Sequence, residues 1–289
     1  MKKIEFNKRK SLKIRYSGRS SDYITPSFGW GCLFKCTYCY MRRHKPDGLS
    51  IATNVDDILQ AIQDHSDTLG IKESNQTHSQ YWTNDIGCNE DFALHSKFHD
   101  WRKIFDFFKN SDNLFATFAT KYVNKDLLNY NPNKRIRIRF TLMPQFLSDI
   151  LEPGTSKIID RIKAVNDFYR AGYEVHLNFS PIICNEGYSL EYIKLFKLID
   201  KYVDDDIKND IKCECIFLTH NEKMHEYNLK NSCQDSEDIL WKPDVQESKV
   251  SSYGSVNLRY KWQLKKTYEK YFKYLLNKHL KWCKIRYIF

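Results

Sequence analysis

The pattern of apolar and polar positions along the chain predicts an alternation of strands and helices. Short segments rich in aliphatic and aromatic residues, bounded by polar turns, predict strands. Strands are expected at residues 24–30, 81–87, 114–120, 136–142, 173–179, 212–218 and 282–289. Apolar residues that recur every three or four positions predict the helices between them. Helices are expected at residues 54–66, 95–109, 155–170, 190–202 and 257–280, with a short one after Asn124.

Strands separated by helices of this length indicate βαβ units and a parallel sheet. The expected fold class is therefore α/β, with a partial, open (β/α)6 TIM-like barrel that binds its ligand at the C-terminal ends of the strands. Residues 1–24 form a basic N-terminal segment, and residues 25–220 form the barrel. Residues 221–289 are expected to form a lid or hairpin, a helix and a strand that pack on the barrel within the same globular unit.

One predicted strand carries an unusual set of charges. Side chains alternate between the two faces of a strand. One face therefore carries Arg135, Arg137, Arg139 and Thr141, and the other carries Ile136, Ile138 and Phe140. Arginines inside a barrel need anions, which either protein carboxylates or a ligand can supply.

Composition narrows the choice of partners and compartment. Of the 289 residues, 42% are hydrophobic, which supports a folded core and excludes a disordered chain. The 46 Lys and Arg against 36 Asp and Glu give a formal charge of +10. This excess favours a polyanionic partner such as DNA, although an AT-rich genome enriches lysine in the same way. With no signal peptide and no apolar run of about 20 residues, we expect a cytoplasmic protein without a membrane span.

The metal chemistry of the chain is concentrated in residues 31–40, where Cys32, Cys36 and Cys39 are spaced C-x3-C-x2-C. Three thiolates in a short loop suit a [4Fe–4S] cluster that leaves one iron without a protein ligand. A zinc site with His44 as the fourth ligand is the alternative, but the chain has no second C-x2-C pair. The odd total of nine cysteines does not suggest a disulfide framework. The nine histidines show no metal-binding spacing, and none of them is assigned to a metal.

The cysteine spacing, with Tyr38 before the third cysteine, resembles the signature of radical S-adenosylmethionine (SAM) enzymes. In that superfamily the open iron binds SAM through its amino and carboxylate groups. An electron from the cluster then splits the sulfonium and releases a 5′-deoxyadenosyl radical. The resemblance implies a [4Fe–4S] cluster on these cysteines, SAM as the second cofactor, Tyr38 against the adenine, and a barrel of the radical SAM type.

From the cysteines onward, the chain also resembles the spore photoproduct lyase family, whose members revert an ultraviolet-induced thymine dimer in DNA. The motifs that carry this resemblance are Cys36–Tyr40, Thr120–Tyr122, Arg137–Thr141, Glu152–Ser156, Arg161–Ile162, Ala171–Tyr173, Pro181–Ile182 and Glu186–Gly187. They occur in the family's order and cover roughly residues 25–289. The portion before the cysteines is shorter than the family's and residues 221–255 diverge, which affects the expected substrate more than the expected cofactor.

The resemblance implies roles for two residues of a catalytic cycle. With about one residue of slippage, Cys88 aligns with the family's hydrogen-donor cysteine. Its S–H bond would give a hydrogen atom to a product radical, and Tyr40 would relay the resulting thiyl radical back toward SAM. The alternative is that Cys88 is a small buried apolar residue and that Tyr40 only packs beside the cluster.

Four further residues are candidates for binding SAM. Lys121, at the end of a strand, is expected to pair with the carboxylate of SAM or else to extend its amine to the barrel rim. Thr141 is expected to bond the same carboxylate or the ribose, and Arg139 to meet an anion inside the barrel. Glu90, preferred over Asp91, is expected to bind the ribose hydroxyls.

Contacts to DNA are expected at two basic places. Arg42 and Arg43 follow the cysteines, where they either contact phosphate or face solvent. Residues 252–260 lie where the family contacts DNA, and there Arg259 would bind phosphate and Tyr260 would stack against a base. The start of a surface helix explains this segment equally well.

The expected function is that of a lyase-type radical SAM enzyme that abstracts hydrogen from a thymine-derived substrate in DNA, as in spore photoproduct repair. One alternative is radical SAM tailoring of a modified nucleobase or of another substrate. A second alternative is a non-catalytic iron–sulfur or zinc protein that binds nucleic acid. A reductant such as flavodoxin or ferredoxin and a monomeric state are expected for the enzyme.

Overall fold

The computed structural model describes residues 3–250, 254 and 256–289. Its strands are β1 (Lys3–Asn7), β2 (Arg15–Tyr16), β3 (Tyr23–Ile24), β4 (Gly29–Gly31), β5 (Gly48–Ala52), β6 (Trp82–Asp85), β7 (Leu114–Thr120), β8 (Ile136–Thr141), β9 (Glu174–Ile182), β10 (Lys212–Phe217), β11 (Thr219–His220), β12 (Gln246–Val250), β13 (Val256–Tyr260) and β14 (Lys284–Ile288). Its α-helices are α1 (Met41–His44), α2 (Val55–Asp67), α3 (Phe92–His95), α4 (Trp101–Asn110), α5 (Gln145–Leu151), α6 (Ile158–Arg170), α7 (Tyr188–Tyr202), α8 (Glu222–Lys230), α9 (Gln234–Leu240) and α10 (Trp262–His279). Single turns of 3-10 helix cover Ser96–Phe98, Lys125–Asn129, Lys208–Asp210 and Pro243–Val245.

An eight-stranded sheet organises the fold, in the order β14-β10-β9-β8-β7-β6-β3-β2. From β14 to β3 all neighbouring strands run parallel, and only the β2–β3 pair is antiparallel. Six of these strands, β3 and β6 to β10, follow one another in both sequence and space, as consecutive βαβ units require. The predicted parallel α/β sheet is therefore confirmed.

Segments that precede and follow the predicted barrel in the sequence contribute strands to this sheet. At one edge, β2 pairs with β3, and at the other edge β14 pairs with β10. The sheet therefore extends beyond residues 25–220. Two three-stranded sheets accompany it, β1-β5-β4 next to the cysteines and β11-β13-β12 in the C-terminal part.

The two faces of the central sheet differ in chemistry. The outer face is apolar, and Phe140 of β8 packs edge-on against Phe168 of α6 with ring centroids 5.3 Å apart. The opposite face is charged and buried, with Arg139 at 2.6 Å from Asp85 Oδ2 and 3.1 Å from Glu214 Oε2. The alternation along β8 thus places arginines inside the barrel, where protein carboxylates neutralise them.

The C-terminal region departs most from the sequence pattern. The apolar periodicity predicts a helix over 257–280, but residues 256–260 form β13, which pairs with β11 and β12, and α10 begins only at Trp262. Strand partners from distant segments satisfy the backbone here and override the local periodicity. Residues 221–250, which lie in the segment expected to form a lid or hairpin, contain α8, α9 and the strand β12, which pairs antiparallel with β13. The single helix predicted over 95–109 is divided into the end of α3, a 3-10 turn and α4.

Among the residues that the structure describes, no helix combines the length and apolar character that crossing a bilayer requires.

Candidate active site

The cysteine loop (residues 31–40) connects β4 to α1 and is fixed from two sides. The Leu33 N–H donates to His95 Nε2 at 3.2 Å. The Thr37 N–H donates to the Leu151 carbonyl oxygen at 2.9 Å. Hydrogen bonds from the loop backbone to α3 and α5 hold the cysteines at the end of the barrel where the parallel strands terminate.

Burial determines the protonation of the thiols in the cysteine loop. Its three cysteines form no disulfide. Burial raises the pKa of Cys32 to about 12 and raises that of Cys36 well above the ordinary value. Such thiols keep their protons at neutral pH unless a bound metal replaces them. The loop therefore presents soft ligands whose charged form requires a metal centre.

The positions of the thiols do not favour a single zinc ion. A tetrahedral zinc, with Zn–S bonds of about 2.3 Å, holds its sulfur ligands about 3.8 Å apart. Among the described residues, the one group of three metal-binding side chains with all ligand atoms within 4.8 Å of one another lies between residues 220 and 237, so the three thiols are spread more widely. The proposed fourth ligand, His44, instead has Nε2 2.9 Å from Arg43 Nη2 and packs edge-on against Tyr40.

Glu90 supports the cysteine loop from behind. Its Oε2 lies 3.0 Å from His95 Nδ1 and 2.8 Å from His99 Nε2, and its side chain is 1% exposed. Burial alone would raise the pKa of Glu90, but His99 and His95 lower it to about 2. Since Leu33 donates to the other nitrogen of His95, the proton of that ring faces the carboxylate. The position predicted to bind ribose is therefore buried and bonded to protein, and a Cβ added at Gly29 would overlap it.

Glu152 is a second buried carboxylate beside the cysteine loop. Its Oε1 accepts a hydrogen bond from the Tyr38 hydroxyl, and its Oε2 accepts one from Arg161 Nη1 at 2.9 Å. Lys121 Nζ lies 4.0 Å from Oε1 and 5.7 Å from the centre of the Tyr38 ring. Burial opposes the charge of Lys121, but Glu152 and Cys36 raise its pKa above the ordinary value. Lys121 is therefore a cation next to the cysteine loop.

Two other predicted SAM ligands lie inside the barrel. Arg139 forms ion pairs with Asp85 and Glu214, so protein carboxylates are the anions that it meets. Thr141 is 1% exposed, and its Oγ1 lies 3.5 Å from Asn178 Nδ2.

A cavity of about 1610 Å3 opens next to the cysteine loop. Tyr38, Tyr40, Cys88 and Asn89 lie on its wall. The Tyr40 hydroxyl lies 2.7 Å from Asn89 Oδ1 and 3.0 Å from the carbonyl oxygen of Cys88. Burial, assisted by Asp85, raises the pKa of the Cys88 thiol to about 11, so this thiol carries its hydrogen at neutral pH. The structure thus brings together the two residues to which the resemblance assigns one relay.

Basic side chains line one side of this cavity. Arg9, Lys13, Arg15, Arg43, His44 and Lys223 contribute to the lining. The nearest of them to the thiol is Arg15, whose Nη2 lies 3.9 Å from Cys88 Sγ. The guanidinium of Arg42, in contrast, donates to the Lys35 carbonyl oxygen and to Cys233 Sγ, both at 2.9 Å.

At the second predicted contact to DNA, the structure leaves fewer side chains available than the sequence analysis expected. Tyr260 is 3% exposed, and its hydroxyl oxygen accepts the Cys184 N–H at 2.8 Å. A ring held in the core cannot stack against a base, so the interface does not include Tyr260. Arg259 is half-buried and pairs with Glu247 at 2.9 Å. Residues 252, 253 and 255 of that segment lie outside the described residues.

The sequence analysis missed Asn89, His95 and Glu152. The sequence marks Glu152 only as the first residue of the motif Glu152–Ser156, and its contacts come from three other segments. Asn89 directly follows Cys88, and adjacency to a candidate thiol was the one available signal. His95 and His99 are four residues apart, a spacing typical of one helix face, which pointed to a shared partner.

The comparisons with known proteins agree on one family. The model of the family described as "Spore photoproduct lyase" matches residues 2–289. The spore photoproduct lyase of Bacillus subtilis (strain 168) is 30% identical over 210 residues, which are 72% of this chain and 59% of that protein. The spore photoproduct lyase of Geobacillus sp. (strain Y412MC61) is 27% identical over 213 residues, 72% of this chain and 60% of that protein. The chain thus spans about three fifths of the length of these curated relatives.

Solved structures show the same fold. A structure described as spore photoproduct lyase complexed with dinucleoside spore photoproduct has a TM-score of 0.84 and 21% identity, and the match covers 99% of this chain and 82% of that chain. A variant of spore photoproduct lyase with bound AdoMet and dinucleoside spore photoproduct has a TM-score of 0.85 with the same identity and coverage. The predicted partial barrel of the radical SAM type is therefore confirmed.

Proposed function

Because the chain belongs to the spore photoproduct lyase family, we propose that it is a radical SAM enzyme of the lyase type that acts on a thymine-derived lesion in DNA. The observation that carries this proposal is the position of Cys88 and Tyr40 on the wall of one cavity beside the cysteine loop. The cavity, about 1610 Å3, exceeds the roughly 300–1,000 Å3 of a site for one small ligand, which leaves room for SAM and a nucleotide segment together.

The three cysteines of the cysteine loop would hold a [4Fe–4S] cluster. They form no disulfide, they belong to one short loop, and they are spread more widely than one metal ion allows. When bound, such a cluster holds SAM at its open iron and supplies the electron that splits SAM into methionine and the 5′-deoxyadenosyl radical. The chain itself keeps the loop in place through His95 on one side and through the Tyr38–Glu152 hydrogen bond on the other.

We assign the carboxylate of SAM to Lys121. The amine is 4.0 Å from Glu152, longer than a direct hydrogen bond, so it retains donors for a second anion. Its side chain is 19% exposed, which leaves it accessible from the site. Glu90 and Arg139 are not included among the SAM ligands, since each is buried and already bonded to protein groups.

Cys88 is assigned as the hydrogen donor. A carbon-centred product radical takes the hydrogen atom of the S–H bond, which forms a C–H bond and leaves the unpaired electron on Sγ. Tyr40, whose hydroxyl lies 3.0 Å from the carbonyl oxygen of Cys88, returns a hydrogen atom from that hydroxyl to the sulfur. A hydrogen atom from 5′-deoxyadenosine would then restore the Tyr40 hydroxyl when SAM is bound. The raised pKa of Cys88 supports this role, because only the protonated thiol has a hydrogen atom to give.

DNA is the proposed partner. Basic side chains along one wall of the cavity, among them Arg9, Arg15 and Arg43, suit contacts with phosphates near the thiol. A lesion inside a duplex must leave the base stack to reach Cys88, which costs a few kcal/mol and less for damaged bases.

The test is anaerobic turnover. The reconstituted enzyme is incubated with SAM, a one-electron reductant and ultraviolet-irradiated DNA, and the nucleosides are followed by mass spectrometry. We expect repaired thymidine in this reaction, and 5′-deoxyadenosine in the matched reaction without DNA, where no product radical draws on the relay that consumes it. Absence of 5′-deoxyadenosine from the reduced, cluster-loaded enzyme without DNA would overturn the catalytic proposal. Cleavage of SAM without a thymine product would overturn the proposed substrate and favour a different nucleobase.

The thiol is tested by Cys88→Ala, with Cys283→Ala as the matched control. Cys283 is a buried free cysteine outside the cavity lining. We expect Cys88→Ala to consume substrate but to yield misquenched products, whereas Cys283→Ala keeps the product distribution of the parent enzyme. Unchanged products from Cys88→Ala would remove the thiol from the mechanism.

A further inference from the structure

A second cluster of metal-binding side chains lies in the C-terminal part of the chain. His220 Nε2 is 3.0 Å from Glu237 Oε2, and His225 Nδ1 is 2.5 Å from the same oxygen. All three ligand atoms lie within 4.8 Å of one another. We propose that His220, His225 and Glu237 bind a divalent transition-metal ion, with Zn2+ the best match to two imidazoles and one carboxylate.

Burial and charge support this assignment. The side chain of Glu237 is 1% exposed and that of His220 is 0% exposed. Among the described residues, the two ion-pair partners of the Glu237 carboxylate are imidazoles. An imidazole is charged only when it is protonated. A buried carboxylate without a permanent cation is costly. A divalent ion at this position neutralises the carboxylate at every pH at which the imidazoles are free of protons.

The geometry suits the coordination of zinc. Zinc bonds to histidine nitrogen and carboxylate oxygen are about 2.0–2.2 Å, so tetrahedral ligand atoms lie about 3.4 Å apart. The two nitrogens lie 3.0 and 2.5 Å from the carboxylate oxygen, so these separations must lengthen by about 0.4 and 0.9 Å, while the two nitrogens lie within 4.8 Å of each other. The Trp241 ring stacks on His225 at 4.0 Å with an interplanar angle of 11°, which fixes the orientation of one ligand.

The site adjoins the cysteine loop but uses none of its residues. Asn228 Nδ2 donates to Glu237 Oε1 at 2.5 Å and to the Thr37 carbonyl oxygen at 2.8 Å. The ion would therefore hold α8 and α9 together and fix Asn228 against the cysteine loop. Asn221 and Trp241 line the large cavity, so a fourth ligand can reach the ion from that side.

The spacing explains why the sequence does not reveal this site. His220 and His225 are five residues apart, with His220 at the end of β11 and His225 within α8, and Glu237 follows on α9. No single helix face carries two ligands, so familiar helical motifs do not match. The three side chains meet only when α8 and α9 pack together.

The test measures metal content directly. The cluster-loaded protein is incubated anaerobically with Zn2+ and desalted, and zinc and iron are quantified per chain. We expect one zinc in the parent protein, at least about a 10-fold weaker affinity for zinc in His225→Ala and Glu237→Gln, and unchanged iron in both. His279→Ala, a partly buried histidine at the end of α10, is the matched control and should bind zinc as the parent does.

X-ray absorption at the zinc edge is measured on the parent protein alone. Its result therefore does not depend on whether the variants fold. A first shell of nitrogen and oxygen at about 2.0–2.1 Å supports the proposal, and a sulfur shell at about 2.3 Å would place the zinc on cysteines and overturn it. Failure of the parent protein to retain zinc, or equal retention by both variants, would also overturn it.

Discussion

Replacing Gly29 with alanine tests whether the buried Glu90 supports the cysteine loop. A Cβ at this position overlaps the carboxyl group of Glu90, whose Oε2 is already bonded to His95 and His99. Displacing the side chain breaks both contacts and leaves a buried charge. Glycine is thus required here by the close approach of a carboxylate, and Gly70, which has nothing within 4 Å, offers a matched control.

The expected loss in the free energy of unfolding depends on whether the backbone or the carboxylate moves. If the backbone moves away, overpacking costs about 1–3 kcal/mol. If the carboxylate loses its partners, breaking the buried contacts costs about 3–5 kcal/mol. We expect Gly29→Ala to lower the free energy of unfolding by about 3 kcal/mol, whereas Gly70→Ala should change it by less than about 0.5 kcal/mol, as exposed substitutions do.

The assay is urea unfolding of the cluster-free protein under reducing conditions, followed by circular dichroism and combined with iron retention after reconstitution. The same substitution is then made in the Glu90→Ala background, where no carboxylate blocks the methyl group. There Gly29→Ala should be neutral or stabilising, since alanine restricts the unfolded chain. An equal loss of stability in both backgrounds would refute the contact between Gly29 and Glu90 as its cause.

Three further predictions concern the buried groups of Asp22, Glu90 and Cys88. Asp22→Ala leaves Lys72 unpaired at 2% exposure, so urea unfolding should show a loss of about 3–5 kcal/mol. The pKa of Glu90, about 2 in the fold against an ordinary 4.5, means that its stabilisation is complete above pH 4.5 and is lost as the pH falls toward 2; unfolding at pH 6 and pH 3 should differ by about 2 kcal/mol, a difference that Glu90→Gln reduces. Alkylation of Cys88 by iodoacetamide in the cluster-loaded protein, read by peptide mass spectrometry, should increase toward pH 11, and a midpoint near pH 8.5 would contradict the burial of this thiol.

Local sequence was sufficient wherever one segment determines its own structure. The strand predicted at 114–120 is β7 with the same bounds, and the strand predicted at 136–142 is β8 with one residue fewer. The alternation along β8 placed Arg139 on the inner face before any partner was known. The cysteine spacing placed all three thiols in one loop for the same reason, since they lie within eight residues.

Features that depend on distant segments were beyond the reach of the sequence. Residues 256–260 have helical periodicity but pair with β12, which no local signal predicts. Glu90 is expected from the sequence to bind ribose hydroxyls, and its bonds to His95 and His99 appear only in the folded structure. Tyr260, the last residue of β13, is enclosed by Tyr268 of α10 and Phe217 of β10, and its contact with the distant β10 cannot be predicted from its neighbours in sequence.

The charged interior of the barrel also constrains how β8 can align with its neighbours. Arg137 and Arg139 alternate with Ile136, Ile138 and Phe140, so a shift of one residue would exchange the two sets. Guanidinium groups would then face the apolar helices, and the phenylalanine would face Asp85 and Glu214. Each shift by one residue would bury unpaired charges among apolar side chains, which is costly. The native alignment of β8 is therefore the one that suits both faces of the sheet.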